Sequence, residues 1–263
     1  MEGGKEGINI TCYSTGDTTV KIIYEDNHLL VVEKPVNVLT QGDITGDKDL
    51  LTILKEYVKE KYSKPGNVYL GLVHRLDRPV GGVMVFARTS KAASRLSEQI
   101  RKGDFEKEYL AVVHGEFKLK NAKGTLEHYL LKDNKTNIVR VAGRFEKEAK
   151  KAILEYEVLE STRVKEQAMS LVRIKLLTGR PHQIRVQFAA TGHPLHGDMK
   201  YNPRYNSGPN PKGSEGQKGE QLALWSHRIT IEHPVKKEKM SFSCNPPDKH
   251  PWNAFSKSWL LLS

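Results

Sequence analysis

The sequence predicts an α+β protein whose strands pair mainly in the antiparallel direction. Short runs rich in β-branched and aliphatic residues recur along most of the 263 residues, and this pattern is typical of strands. Two other segments repeat apolar residues at the spacing of one helix face. Most connections between successive strand-like runs are too short for the crossover that a parallel pair requires, so neighbouring strands should run antiparallel.

The N-terminal part of the chain is predicted to contain a tail, two strands and a helix. Residues 1–19 are rich in Gly, Thr and Ser, so we expect a disordered tail there. Ile22–Tyr24 and Leu29–Glu33 have the composition of paired strands, and Lys34-Pro35 ends the second strand because proline has no N–H to donate. Asp49 can cap a helix whose apolar face is formed by Leu50, Ile53, Leu54, Tyr57 and Val58.

A charged run separates the next two predicted strands. Val68–Val73 and Gly82–Ala87 are apolar enough to be buried strands, and His74-Arg75-Leu76-Asp77 stands between them. A second helix is predicted to begin with Ser90 as its cap and to end at Gly103. The charged run should therefore lie at the end of a buried strand.

The remaining sequence is predicted to be rich in strands. Pro181 suits the first turn of a third helix, which should run to about Ala190. Asn202–Gln221 is rich in Pro, Gly, Lys and Ser and is predicted to be a long mobile insertion. The predicted strands are Lys107–Val113, Thr125–Leu131, Asn137–Val141, Lys150–Glu160, Met169–Leu177, Leu222–Ile231 and Lys239–Cys244.

Composition narrows the class of partner and the compartment. The net charge of +11 favours a polyanionic partner, although a basic, merely solvated surface is a common alternative. No run approaches the ~20 apolar residues of a membrane span, and the N-terminus lacks the apolar core of a signal peptide. Cys12 and Cys244 lie far apart and suggest neither a disulfide scaffold nor a zinc ribbon, so we expect a protein of the reducing cytoplasm.

The charged run His74–Asp77 is the first candidate for a functional site. An ionised side chain between buried strands is costly unless it is paired or used, so Asp77 is either a neutralised structural group or a reactive one. A salt bridge or a turn cap is the more common explanation for such a run. A second run, Thr178–Val186, again places arginines and polar groups beside buried positions about a hundred residues later.

Four blocks in order make the chain similar to a known family. They are Tyr24–Pro35, His74–Asp77, Lys107–Gly115 and Thr178–Arg185, the last continuing through Gly192–Pro194 to Gly197-Asp198. Together they resemble the pseudouridine synthases of the large-ribosomal-subunit and tRNA type, whose signature centres on an Arg-Leu-Asp run. The resemblance covers about Ile22 to Pro247. The family usually follows that run with a Thr-Ser-Gly turn, whereas this chain has Pro79–Gly82, so hydrogen bonding behind Asp77 should differ.

The resemblance implies a fold and an activity. The fold would be a large, bent, mainly antiparallel mixed sheet in two halves with flanking helices, formed by a catalytic domain over residues 20–263. The activity would be conversion of uridine to pseudouridine in structured RNA, either rRNA or tRNA. Because this reaction is an isomerisation, it needs no cofactor and no metal. We expect RNA as the partner, no membrane association, and a monomer as the simplest oligomeric state.

The resemblance also assigns roles to individual residues. Asp77 would be the nucleophile, and Arg185 would hold its carboxylate through a bidentate contact. Tyr109 would pack against the target base and serve in proton transfer. Arg75 would fill the gap left by the flipped nucleotide or bind a phosphate. The residues expected to contact the substrate RNA are Arg75, His74, Arg180, His182 and Gln183.

Each assignment has a plainer alternative. Arg185 could be a solvent-bonded helix residue, Tyr109 a core residue, and His74 a structural group. The whole scaffold could serve a non-catalytic RNA-binding protein or RNA chaperone. A metal-dependent nuclease is a third possibility, and it would depend on a metal site formed by His182, His193, His196 and Asp198.

Overall fold

The structure is a computed structural model that describes residues 11–117, 122–164, 166–203 and 220–256. The chain divides into two compact units. Unit 1 comprises residues 1–106 and 226–245, and unit 2 comprises residues 107–225 and 246–263. The described residues form twelve strands and three α-helices, which confirms the α+β class. None of the helices among them is long and apolar enough to span a membrane.

Unit 1 is built on strands in the order β1-β2-β3-β5-β11, with β4 paired to β5 and β12 paired to β11. The pairs β1–β2, β2–β3, β3–β5, β4–β5 and β11–β12 are antiparallel. The helices α1 and α2 also belong to this unit. The elements are β1 (Thr11–Thr15), β2 (Thr18–Glu25), β3 (Leu29–Lys34), α1 (Leu50–Lys61), β4 (Gly71–Leu72), β5 (Gly81–Ala87), α2 (Ser90–Lys102), β11 (Leu224–Glu232, in this unit from Ser226) and β12 (Lys239–Ser243).

The prediction of a disordered tail over residues 1–19 is wrong from Thr11 onward. Threonine favours strands because its branched side chain suits the pleated surface, and β1 pairs with β2 from Thr11 opposite Ile22 to Thr15 opposite Thr18. Gly16 supplies the positive φ of +54° in the turn between them. Residues 1–10 lie outside the described residues.

Local signals placed the helices of unit 1 correctly, with one shift. The Asp49 carboxylate accepts hydrogen bonds from the Thr52 N–H at 3.1 Å and from its hydroxyl at 2.7 Å, so it caps α1. The helix α2 ends at Gly103 in the left-handed conformation, but its cap is Thr89 and not the predicted Ser90. Thr89 takes this place because its hydroxyl accepts the Ala92 N–H at 3.1 Å.

Of the two buried strands predicted on either side of the charged run, only the second is observed at nearly its predicted length. All seven residues of β5 are buried, as predicted. The predicted buried strand Val68–Val73 is reduced to the two residues of β4, and Tyr69 is 50% exposed. The reason is that only Gly71 and Leu72 meet partners in β5, namely Ala87 and Phe86.

Unit 2 is built on strands in the order β6-β10-β9-β7-β8, so β8 is the last strand in that order. The pairs β6–β10, β9–β10, β7–β9 and β7–β8 are antiparallel. Helix α3 packs against β7 and β8. The elements are β6 (Glu106–His114, in this unit from Lys107), β7 (Lys123–Asp133), β8 (Ile138–Ala142), β9 (Lys150–Val164), β10 (Gln167–Leu176) and α3 (Gln183–Ala190), with a 3₁₀ turn at Trp252–Ala254.

The start of α3 and the segment 202–221 differ from, or lie partly beyond, what the sequence predicted for unit 2. The helix α3 begins at Gln183, so Pro181 lies before it, because His182 adopts a left-handed conformation with φ of 49°. The predicted mobile insertion at 202–221 lies mostly outside the described residues, since 204–219 are not described. Asn202 itself is fully buried, and its amide nitrogen donates to the Leu195 carbonyl at 3.0 Å.

Candidate active site

Asp77 lies in a turn of unit 1 between β4 and β5. The Val80 N–H donates to the Asp77 carbonyl at 3.0 Å and closes the turn. The Thr40 hydroxyl, which is buried, donates to the Leu76 carbonyl at 2.8 Å and accepts the Leu76 N–H at 3.3 Å. The backbone immediately before Asp77 is therefore fixed by a side chain more than thirty positions away. We call this segment, residues 76–80, the Asp77 turn.

Lys34 supports the same turn, and the sequence reasoning assigned it no role in the site. Its side chain is fully buried at the end of β3. Its Nζ donates to the carbonyls of Pro35 at 2.9 Å, Arg78 at 3.1 Å and Val80 at 2.7 Å. Burial lowers the pKa of Lys34 to about 7, while the nearby Asp77 carboxylate acts in the opposite direction. The Asp77 turn thus wraps a buried amine in contact with two of its own carbonyls.

The three residues that flank Asp77 have distinct environments. His74 Nε2 accepts the Val85 N–H at 3.0 Å, and its ring packs 5.3 Å from that of Phe105. This nitrogen accepts a backbone N–H of β5 and is therefore not available to RNA in this conformation. The contact favours the structural alternative for His74. Arg75 is exposed, as a residue that contacts RNA must be. Arg78 forms a salt bridge with Asp47 at 2.7 Å.

Tyr109 lies on β6 in unit 2, opposite Ile174 of β10. It is only 6% exposed, which is also how a core tyrosine would look. Lys107 lies two residues earlier, on the same face of the strand, with its ammonium against Gly179. Burial lowers the pKa of Lys107. This strand therefore presents an aromatic ring and an amine side by side.

Arg185 has a partner that the sequence reasoning did not assign to it. Its Nε and Nη2 donate to Asp198 Oδ2 and Oδ1, both at 2.8 Å, and both side chains are almost completely buried. The Lys200 and Tyr201 N–H groups also donate to Asp198 Oδ1, at 2.9 and 3.1 Å. The guanidinium lies 5.1 Å from the centre of the Tyr201 ring. Asp198, for which the sequence suggested only a metal-binding role, orients Arg185. Contact of Arg185 with Asp77 stays a prediction.

Gln183 and Arg180, two of the predicted substrate ligands near the start of α3, have different environments. Gln183 is 3% exposed, and its Oε1 accepts the Thr178 hydroxyl at 2.8 Å and the Arg180 N–H at 3.0 Å. Its Nε2 donates to the Ile153 carbonyl at 3.0 Å. The Gln183 amide is thus buried and already hydrogen-bonded within unit 2, and its contact with RNA stays a prediction. Arg180 is partly exposed, with its Nε donating to the Lys151 carbonyl at 2.9 Å.

The four residues considered for a metal site have separate partners. His182 Nδ1 lies 2.5 Å from the Tyr201 hydroxyl, and Asp198 is engaged with Arg185. His193 stacks on Phe117 with ring centres 4.0 Å apart, and His196 Nε2 lies 3.7 Å from Glu220. Within the described part of the chain, no group of three or more His, Cys, Asp or Glu side chains is arranged to hold a metal ion.

Two curated proteins illustrate what the chain is similar to in sequence. A protein "Uncharacterized RNA pseudouridine synthase" of Aquifex aeolicus is 35% identical over 235 residues, which are 87% of this chain and 70% of that protein. "Ribosomal large subunit pseudouridine synthase D" of Vibrio cholerae is 32% identical over 240 residues, covering 88% of this chain and 69% of that protein.

Solved structures share the fold. The human RNA Pseudouridylate Synthase Domain Containing 4 superposes with a TM-score of 0.69 at 23% identity, covering 86% of this chain and 88% of that one.

The model of the family described as RNA pseudouridylate synthase matches residues 28–190, which include the Asp77 turn, Tyr109 and Arg185. On that match and the identities above, the chain belongs to the RNA pseudouridylate synthase family and is an RNA pseudouridine synthase.

Proposed function

We propose that this enzyme isomerises particular uridines of ribosomal RNA or transfer RNA, with Asp77 as nucleophile and without a metal or an organic cofactor. The reaction breaks the N1–C1′ bond of uridine and forms a C5–C1′ bond, so substrate and product are isomers. It requires a nucleophile near the base or sugar, a proton acceptor and a pocket for an extruded base. Activity in excess EDTA, with the RNA fold kept by monovalent salt, is the expected result for the cofactor-free mechanism.

The bracing of the Asp77 turn is the observation that carries this proposal. Thr40 fixes the peptide group before Asp77, and Lys34 binds the carbonyls of Arg78 and Val80 after it. A carboxylate that must attack a carbon atom benefits from a backbone that does not have to reorganise during the reaction. Bracing by two buried side chains on either side of one aspartate supports a reactive role over a simple turn cap.

We assign Tyr109 and Arg185 supporting roles. The ring of Tyr109 would stack on the extruded uracil, and its hydroxyl would take part in proton transfer. Arg185 would orient the Asp77 carboxylate, and Asp198 would in turn hold Arg185 through the two 2.8 Å hydrogen bonds. A guanidinium fixed in this way loses little side-chain entropy when it binds a further anion.

The nature of the RNA is inferred from charge and from relatives. The net charge of +11 suits a large polyanion. The name of the Vibrio cholerae relative refers to the large ribosomal subunit, which favours ribosomal RNA among the two candidates.

The decisive experiment compares Asp77→Asn with the unaltered enzyme. The variant should lose pseudouridine formation by many decades and keep its RNA affinity, because the carboxylate supplies the chemistry and the basic surface supplies the binding. Pseudouridines are mapped in total RNA after incubation with each purified protein. Asp104→Asn, which changes an exposed carboxylate of the same unit, is the matched control and should stay active.

Two outcomes would count against the proposal. Turnover by purified Asp77→Asn above trace contamination would remove the nucleophile assignment. Absence of any new pseudouridine with the unaltered protein, combined with tight RNA binding, would favour the non-catalytic RNA-binding alternative.

A further inference from the structure

A loop of unit 2 presents a phenylalanine that the proposed chemistry does not use. Phe145 lies between β8 and β9 and is 94% exposed. We call residues 143–149 the Phe145 loop. A single exposed apolar side chain is common in proteins and needs no explanation by itself. What distinguishes Phe145 is the order of the loop that holds it and the charge around it.

Hydrogen bonds fix the shape of the Phe145 loop. The Glu146 N–H donates to the Gly143 carbonyl at 3.1 Å, and the Ala149 N–H donates to the Glu146 carbonyl at 3.1 Å. The Glu146 carboxylate accepts from the Gly143 N–H and from the guanidinium of Arg140, whose Nη1 lies 3.2 Å away. Phe145 therefore stands at the third position of a closed turn, and its side chain is exposed there.

The ring has an arginine as its close neighbour. The guanidinium carbon of Arg144 lies 5.7 Å from the centre of the Phe145 ring. An exposed aromatic face beside a guanidinium is the pair of groups that stacks on a nucleobase and contacts its phosphate. Arg140, which precedes the loop, is paired with Glu146, whereas the Arg144 guanidinium lies close to the Phe145 ring.

The surroundings of the loop are basic and extend to Arg180 of the same unit. Between residues 132 and 151 the chain has seven Lys or Arg against three Asp or Glu. The seven basic residues are all exposed. The Lys151 carbonyl, at the start of β9, accepts a hydrogen bond from Arg180, one of the predicted substrate ligands. The basic residues are Lys132, Lys135, Arg140, Arg144, Lys147, Lys150 and Lys151.

We propose that the Phe145 loop is a docking surface for the substrate RNA, on which Phe145 stacks against an unpaired base while Arg144 contacts the adjoining phosphate. This inference rests on the proposed function, since it supplies a contact for the same RNA substrate. The stacked base belongs to a single-stranded loop or bulge, because a paired base has both of its faces covered by neighbours. The surface would help select structured RNA with unpaired nucleotides over plain duplex.

The test measures equilibrium binding and not turnover. Two fluorescein-labelled probes are used, an RNA stem–loop with an unpaired uridine-containing loop and a fully paired RNA duplex of equal length. Phe145→Ala should weaken binding of the stem–loop by about 5- to 150-fold and leave duplex binding nearly unchanged. Phe145→Tyr keeps the ring and should bind both probes as the unaltered protein does. Because Phe145 is exposed, thermal melting of both variants should match that of the unaltered protein.

The salt dependence separates stacking from charge. Phe145→Ala removes no charge, so the slope of log Kd against log salt concentration should not change. Arg144→Gln should lower that slope by about 1 and weaken both probes, because one phosphate contact is lost.

Three results would overturn the proposal. They are an unchanged stem–loop affinity in Phe145→Ala, an equal loss for both probes, and a concentration-dependent dimer that Phe145→Ala dissociates without any loss of RNA affinity. The last result would show an apolar contact between copies of the chain. A failure of the proposed isomerisation alone would leave these binding results intact, so the two proposals fail separately.

Discussion

Lys34→Met removes a buried amine from beneath the Asp77 turn and leaves its three carbonyl acceptors without their donor. Methionine has nearly the same length and flexibility, so the change is mainly one of charge and hydrogen bonding. The lost bonds to the carbonyls of Pro35, Arg78 and Val80 are 2.9, 3.1 and 2.7 Å long. Each bond from a charged donor contributes about 1.5–3 kcal/mol. Their loss is partly offset because a charge no longer has to be buried.

The size of that offset follows from the pKa of Lys34. A fall from 10.5 to about 7 means that burial and the nearby Arg78 together, less the favourable effect of the Asp77 carboxylate, disfavour the charged form by about 5 kcal/mol. At about pH 6, where Lys34 is charged in both states, this cost offsets most of the stabilisation from the three hydrogen bonds. We therefore expect Lys34→Met to lower the free energy of unfolding by only about 2 kcal/mol at that pH.

The difference between the two proteins should grow as the pH rises. Between pH 7 and 10.5 the unfolded chain holds a proton on Lys34 that the folded protein has released, so increasing pH stabilises the unaltered protein relative to the variant. From about pH 7 to about pH 9.5 the difference should widen by about 3 kcal/mol. Urea denaturation of both proteins across this range measures it, and all other titrating groups cancel in the comparison.

A matched control isolates the effect of burial. Lys21→Met removes a partly exposed lysine of the neighbouring strand, one that lies 3.4 Å from Glu33. It controls for the loss of one positive charge. A difference between Lys34→Met and the unaltered protein that stays constant, or narrows, with rising pH would refute the reasoning about the buried amine.

Two further predictions concern unit 2. Asp198→Asn should lower the free energy of unfolding by about 3–5 kcal/mol, because it removes the carboxylate that forms two hydrogen bonds with the buried Arg185 guanidinium. Urea denaturation beside Asp104→Asn checks this, and equal stability of the two variants would contradict it. Tyr109→Phe should keep RNA affinity and lose most of the single-turnover rate, since the ring remains and only the hydroxyl is removed. A rate equal to that of the unaltered enzyme would exclude the hydroxyl from proton transfer.

Local signals in the sequence were sufficient for much of the fold. The α1 cap at Asp49 and the α2 end at Gly103 were predicted because capping depends on a few adjacent residues. The strand β5 was predicted because a continuous apolar run between turn residues has few other structures available. The β1–β2 hairpin was missed because a segment rich in Gly, Thr and Ser is also typical of a disordered tail. Only its pairing with a neighbouring strand shows that it is ordered.

The sequence by itself determined the family and supplied Asp77, Tyr109 and Arg185 as the candidates for the site, because motif residues and their order are local information. Only the tertiary structure decided what surrounds them. The bond from Lys34 to the Val80 carbonyl joins positions 46 residues apart, and no periodicity predicts such a contact. The pairing of Arg185 with Asp198 was likewise hidden, although both residues stood in a recognised block. Hydrogen-bond partners in a folded protein are set by which elements pack together, and that is decided by the whole chain and not by any segment of it.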